Sequence, residues 1–165
     1  MRKDSFNHIA SDFKHGKNFQ IGCFCLIQEN VVVGNNVTIA DFVILKKGTF
    51  IGNNTFLDSH VISSGDNYIG NNVTIRYNAI LARKIHISDE VFISANVMTV
   101  FITHDRKLSK GITIGEKAFI GANTVIGADV IIGANVVIGA LAYVSKDCLE
   151  PGTYVGIPAR KVETK

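Results

Sequence analysis

An aliphatic residue recurs every six positions along most of this 165-residue chain. The series runs Ile21, Ile27, Val33, Ile39, Leu45, Ile51 and Leu57, skips at Ser63, and continues through Ile69, Ile75, Leu81, Ile87 and Ile93. It resumes as Ile114, Ile120, Ile126, Ile132, Ile138 and Val144. Glycine often stands next, as at Gly34, Gly52, Gly121 and Gly133, and a small or β-branched residue often stands four places on, as at Cys25, Val31, Val37 and Thr124. A period of six fits neither an α-helix nor an alternating strand. It fits a short strand followed by a turn, many times over. The aliphatic residue points inward, the glycine relaxes the corner, and the small residue fills the remaining interior. Three units make a triangular coil of about 18 residues, and coils stack at roughly 4.8 Å. The units counted from Ile21 give about six coils, a prism roughly 30 Å long. Each coil closes its backbone hydrogen bonds against the next, as in other solenoids.

Composition supports one packed domain over residues 1–165: hydrophobic residues are 47% and charged residues 19%,. The formal charge of +3 is too weak for a nucleic-acid binder but is compatible with a small anionic ligand,. No run of about 18 apolar residues is present to span a membrane. The opening "MRKDSFNHIASDFKHG" lacks the apolar segment of a secretory signal,. Three cysteines, Cys23, Cys25 and Cys148, suit reduced thiols and a cytoplasmic setting,. They offer too few ligands for a zinc site.

The rhythm fails in "VFITHDRKLSKGITIG", residues 100–115. The aliphatic column would next fall at Thr99, and the following clean unit starts at Ile114. Fifteen residues separate them, so an excursion over about residues 100–112 leaves the prism and returns three residues out of register. Insertions on rigid repeat scaffolds commonly carry function; the alternative is a neutral decoration. His104 in this stretch titrates in the range a general base needs, although a lone surface histidine is ordinarily just solvated. The 18-residue spacing also predicts columns: His60, Asn78 and Asn96 in one, and Tyr68, His86 and His104 in another if the excursion begins no earlier than His104.

The pattern [Ile/Leu/Val]-Gly-x-x-[small]-x resembles the hexapeptide repeat of the left-handed parallel β-helix acyltransferases, over about residues 18 to 162. The resemblance implies the left hand, against the general preference of crossovers for the right. It also implies a homotrimer with active sites in grooves between subunits. "ITHDRKLSKGITIG" is similar to the histidine-bearing excursion of galactoside- and maltose-type O-acetyltransferases, and His104 matches their catalytic histidine. Asp105 stands where that family usually has proline, and the family's further histidines are absent. "IRYNAIL" resembles the family's substrate-contacting segment, which makes Asn78 an acceptor ligand, with Arg76, Tyr77 and Arg83 as further contacts. A solvated turn residue is the alternative for Asn78. Ala122 and Ala140 match positions whose backbone amides meet the pantetheine arm of coenzyme A, and such amides also stabilise an oxyanion. "VSKD" followed by "GIPARKV" is similar to the family's ending. It makes Ser145, Lys146 and Arg160, and more weakly Lys161, partners for the adenosine phosphates within a C-terminal cap of about residues 145–165.

These readings combine into an all-β, left-handed parallel β-helix with one protruding loop. Its expected function is acetyl-CoA-dependent transfer of an acetyl group to a sugar hydroxyl, by direct attack in a ternary complex with His104 as base. Cys25 and Cys148 fall at small inward positions, so packing explains them and no thiol intermediate is expected. The alternative is N-acetylation of a nucleotide-linked amino sugar for surface-polysaccharide biosynthesis; an amine needs less base assistance. The γ-type carbonic anhydrases share the prism but need three zinc-binding histidines, two of them close together, and His8, His15, His60, His86 and His104 contain no such pair. A non-catalytic β-helix is the remaining option and predicts no coenzyme A binding. No metal, nucleic acid or membrane partner is expected.

Overall fold

The computed structural model describes residues 6–103 and 105–162. It is a parallel β-solenoid of triangular section, with two-residue strands joined by corners. Among the described residues the first face carries eight strands, from His8–Ile9 through Leu26–Ile27 and Ile80–Leu81 to Tyr143–Val144. The second carries seven, from Lys14–His15 to Ile131–Ile132. The third carries nine, from Gln20–Ile21 to the closing pair Gly152–Val155 and Arg160–Lys161, which run antiparallel. The second residue of each strand in the body of the prism points inward and the first points out, which is the strand's two-fold alternation folded into a period of six. Ile27, Leu45, Ile51, Leu57, Ile69, Ile75, Leu81 and Ile87 are fully buried. Each such side chain contributes about 1.5–3 kcal/mol on leaving water. The core is therefore a continuous aliphatic rod rather than a globular cluster.

The solenoid has about eight turns, not the six that the aliphatic series predicts. The count from sequence begins at Ile21, but strands His8–Ile9 and Lys14–His15 already form the first coil. That coil is hidden in the sequence because its side chains depart from the aliphatic pattern. Phe13 and Phe19 occupy the places that Val31 and Val37 fill one coil later, and His15 stands in the aliphatic column. Phe13 and Phe19 pack edge to face at 5.4 Å and His15 stacks on Phe19 at 4.8 Å. Bulky rings thus fill the interior of this first described coil. At the other end Tyr154 is buried and its hydroxyl donates to the Glu150 carbonyl at 3.0 Å.

The skip at Ser63 is no gap. Ser63 stacks between Leu45 and Leu81 and is completely buried. Its hydroxyl shares a 2.7 Å hydrogen bond with Thr49 and accepts one from the Asn67 amide at 2.9 Å. The Asn67 carbonyl accepts the Ile85 N–H at 3.0 Å, so the polar trio is satisfied inside the rod,.

The glycines do a different job from the one expected. The left-handed backbone falls mainly on the second corner residue, commonly asparagine, as at Asn36 (φ 55°), Asn54 (φ 54°) and Asn72 (φ 56°). Asparagine tolerates that region better than most side chains. Gly52 and Gly121 are needed for close approach instead. A Cβ on Gly52 would lie 2.7 Å from the Gly70 carbonyl carbon, and one on Gly121 would lie 2.5 Å from the Ala140 nitrogen. The coils touch there backbone to backbone.

Candidate functional site

The three corners differ in what they display. Between the second and third faces, Asn18, Asn36 and Asn54 each donate a side-chain N–H to the amide oxygen of the next asparagine, ending at Asn72, at 2.8, 2.9 and 3.2 Å. This asparagine corner uses its polar groups on itself. Between the third and first faces lie Phe6, Phe24, Phe42 and His60, stacked at 5.3, 5.1 and 4.8 Å. The column continues through Asn78, Asn96 and Asn123, all at positive φ. The predicted column of His60, Asn78 and Asn96 is therefore real, tied by Asn78 N–H to Ser59 O at 3.1 Å and Asn96 N–H to Tyr77 O at 3.0 Å.

The excursion leaves from the corner between the first and second faces. Tyr68 pairs with His86 eighteen residues on, but His86 pairs with Thr113, twenty-seven residues on. The difference is nine residues, all inserted in one corner. The coil itself closes normally, since Thr113–Ile114 stacks on His86–Ile87. The expected shift of register exists only along the sequence. The expected column of Tyr68, His86 and His104 is corrected by the same pairing: Thr113 takes the third place, because the insertion begins before residue 104.

The insertion is a small hairpin. Ser109 N–H donates to Phe101 O at 2.7 Å, and Ile102 faces Leu108 in an antiparallel bridge. At the tip, Thr103 N–H donates to Lys107 O at 3.0 Å and Arg106 N–H to Thr103 O at 2.9 Å. The Thr103 hydroxyl accepts the Lys107 N–H at 3.1 Å and donates to Asp105. Asp105 also meets the Lys107 ammonium at 2.7 Å. Asp105, the departure from the family's proline, thus helps close the tip by side-chain bonds. His104 lies outside the described residues; its chain neighbours Thr103 and Asp105 belong to this tip.

The return strand of the hairpin is fixed from both sides. Gly111 (φ 133°) crosses the Lys84 carbonyl so closely that a Cβ would stand 2.4 Å from its oxygen. From the coil above, Asp129 Oδ1 accepts the Lys110 N–H at 2.6 Å and the Ser109 hydroxyl at 2.9 Å. The Lys110 N–H, then the Ser109 hydroxyl, hold the Asp129 carboxyl below the ordinary aspartate range,. Asp129 escapes a sequence reading because it resembles every other corner aspartate. The signal that finds it is positional: it is the corner residue immediately above the insertion.

The remaining candidates divide between two edges. Arg83 stands on the hairpin corner, one coil below the insertion, and binds Asp66 at 2.6 Å. Ser145 and Lys146 follow the last strand of the first face and are exposed. Tyr77, Asn78, Ala122 and Ala140 lie on the aromatic corner, with Leu141 N–H donating to Ala122 O at 2.9 Å. Arg76 precedes that corner and pairs with Asp58 at 3.3 Å. Arg160 is exposed in the closing strand pair, beside Lys161. Within one chain the hairpin group and the aromatic-corner group sit at opposite edges of the first face.

That face is apolar on its outside. Leu26, Ile44, Ile62, Ile80, Met98, Val125 and Tyr143 occupy successive outward positions. A groove of about 530 Å³ runs along it beside the Phe24–Phe42–His60 stack and reaches Asn78. A larger concavity of about 830 Å³ opens around Phe13 and Phe19 at the first coil. It holds none of the candidate residues. Burial raises the thiols of Cys25 and Cys148, which keeps both protonated and unsuited to nucleophilic work,.

Comparison with known proteins follows this geometry. A "Bacterial transferase hexapeptide (six repeats)" profile matches residues 111–146. The N-acyltransferase AntD from Bacillus cereus, as a point mutant in complex with dTDP and coenzyme A, is 25% identical. It superposes with a TM-score of 0.64 over 92% of this chain and 83% of its own. A galactoside acetyltransferase in complex with coenzyme A is 30% identical, with a TM-score of 0.63 over 71% of this chain. The alignment spans 64% of that protein. A hexapeptide-repeat acetyltransferase from Vibrio cholerae, complexed with acetyl coenzyme A, is 25% identical, with a TM-score of 0.65 over 71% of this chain and 70% of its own. No curated protein sequence gives a significant match. Fold, repeat and these likenesses together define a hexapeptide-repeat acyltransferase. The chain belongs to the family described as the GMPPB C-terminal domain, whose profile matches residues 7–110. No helix among the described residues is long and apolar enough to cross a membrane.

Proposed function

We propose that this acyltransferase moves an acetyl group from acetyl-CoA to a sugar hydroxyl, in the cytoplasm, with His104 as general base. The observation that carries the reading is the insertion. The regular rod is interrupted by nine residues in one corner, and these form a hairpin closed at its tip and pinned at its return strand. A decorative loop needs neither.

In the proposed reaction the His104 imidazole takes the proton of the acceptor hydroxyl as its oxygen attacks the thioester carbonyl. The tetrahedral intermediate carries its negative charge on the former carbonyl oxygen, which the backbone amides of Ala122 and Ala140 stabilise. Its collapse breaks the carbon–sulfur bond, and the leaving thiolate of coenzyme A recovers the proton from the imidazolium. Asn78, with Arg76, Tyr77 and Arg83, orients the acceptor. Ser145, Lys146 and Arg160 meet the adenosine phosphates. The division of these residues between two edges of an apolar face supports a homotrimer. The hairpin edge of one copy would then meet the aromatic corner of the next, with the apolar face buried between them.

A second reading, N-acylation of a nucleotide-linked amino sugar, is favoured by one observation. The likeness to AntD, whose structure holds dTDP, extends over 92% of this chain, against 71% for the galactoside enzyme. The deciding experiment is an acetyl-CoA assay against sugars, amino sugars and their nucleotide-linked forms. Release of free coenzyme A with a sugar hydroxyl acceptor supports the first reading, and turnover only with a nucleotide-linked amine supports the second. Coenzyme A is also expected to raise the melting temperature.

A further inference from the structure

We infer that Asp129 is a positioning residue of the site: it holds the hairpin that carries residue 104 against the prism. The inference rests on the proposal that the hairpin bears the general base, and its test is arranged so that the two fail separately.

Three features lead to Asp129. The first is geometric. A single oxygen, Oδ1, receives two donors from adjacent residues of the return strand, Lys110 N–H and the Ser109 hydroxyl. The second is burial. Ser109 is the one buried residue among the described residues of 101–110, with 2% of its surface exposed. Its hydroxyl also accepts the Gly111 N–H at 3.0 Å, so it links the hairpin base to the carboxylate. The third is the contrast between stem and tip. The outgoing strand is held by the ordinary ladder, with Val100 N–H on Ile126 O at 2.9 Å. The return strand rejoins the ladder only at Ile112, whose carbonyl accepts the His86 N–H at 2.8 Å, and Thr113, whose N–H reaches Val130 O at 3.1 Å. Asp129 bridges this interval. Without it, Lys110 and Ser109 lose their acceptor, and the hairpin is left free to hinge about Val100 and Gly111.

The site is built for an acceptor rather than for a charge alone. Asparagine keeps the Oδ1 acceptor and removes the negative charge; alanine removes both. The test therefore uses the full-length protein with Asp129→Ala and Asp129→Asn, read by two independent measurements. The first is limited trypsin digestion, since Arg106, Lys107 and Lys110 lie in the hairpin. The second is the separation of kcat from the KM for acetyl-CoA.

Asp129→Ala is expected to be nicked within residues 106–110 about tenfold faster than the parent, because the locally open state is more populated. Its kcat is expected to fall about ten- to a hundredfold, the scale of an ångström-sized misplacement, with the KM within about twofold. Asp129→Asn is expected to restore both readings to within about threefold of the parent. Parental nicking and kcat in Asp129→Ala would overturn the inference. So would an Asp129→Asn protein as impaired as the alanine variant. His104→Ala is run beside them. If it turns over normally, the base assignment fails whatever Asp129 does; if it is inactive while Asp129→Ala is fully active, only the positioning role fails.

Discussion

The asparagine corner and the hairpin corner are built on the same turn yet end in different uses. In both, a corner oxygen accepts a backbone N–H from a neighbouring coil. Asn35 Oδ1 takes the Lys17 N–H at 2.8 Å and Asn53 Oδ1 takes the Asn35 N–H at 2.8 Å. Asp129 Oδ1 takes the Lys110 N–H at 2.6 Å. In the first corner the bond joins one regular coil to the next. In the second it joins a regular coil to the foot of an insertion, where the Ser109 hydroxyl also reaches Asp129. The solenoid therefore needed no new device to hold a functional hairpin, only one of its corner carboxylates in reach of the added chain. The rod supplies rigidity, and in the proposed mechanism the exception to its repeat supplies the chemistry.

The largest expected effect that separates the two roles is on turnover. His104→Ala is expected to lower kcat about a hundred- to ten-thousandfold, with an unchanged melting temperature, in steady-state assays and thermal melts run together. An equivalent change in the rod reverses the signature. Leu81→Ala empties a fully buried position and is expected to destabilise the fold by about 2–5 kcal/mol in urea unfolding,. Gly121→Ala tests the close contact of coils. Its Cβ would stand 2.5 Å from the Ala140 nitrogen, and an overpacking cost of about 1–3 kcal/mol is expected,. If Gly121→Ala melts like the parent, the backbone contact assigned to the repeat glycines is wrong.

Acid gives the smallest effect and compares the corners directly. Asn71, through its backbone N–H and then its side chain, lowers the Asp89 carboxyl in the asparagine corner, as Lys110 and Ser109 lower Asp129 in the hairpin corner. A depressed folded value means that each contribution is complete above the unfolded value of 3.8 and is lost as pH falls through the folded value,. Lys110 is the cation that acts on Asp129. The protection of the Lys110 and Asn71 amides, as exchange relative to the unstructured rate at the same pH, is expected to hold down to pH 3.8 and to fall only below it. Loss of protection well above that pH would contradict the assignment.

The fold was legible because the repeat states the geometry of each unit. Ile27, Leu45 and Ile87 announce their inward positions by spacing alone. What escaped was non-local. Ser63 looks like an error in the series until Thr49 and Asn67 are brought beside it from other units. The first coil looks polar because Lys14 and His15 replace the aliphatic pair at an end where burial is incomplete. In the candidate site, counting by eighteen placed His60, Asn78 and Asn96 correctly, since no insertion intervenes. The same count misplaced His104 above His86, because it assumes that the chain has not yet left the prism. The hairpin's closure by Asp105 depends on a side chain folding back on Thr103 and Lys107, which no spacing rule announces.

Under the proposed function the hairpin carries the chemistry and the rod does not depend on it. Nine residues separate the twenty-seven-residue stacking offset from the regular eighteen. Removing residues 101–109 joins Val100 to Lys110 and leaves Lys110 and Gly111 as an ordinary two-residue corner. The deciding measurement is turnover with acetyl-CoA by this shortened protein, alongside its melting temperature with and without coenzyme A. The shortened protein is expected to keep a parental fold that coenzyme A still stabilises, with kcat reduced by at least about a hundredfold. Parental turnover in the shortened protein would contradict it.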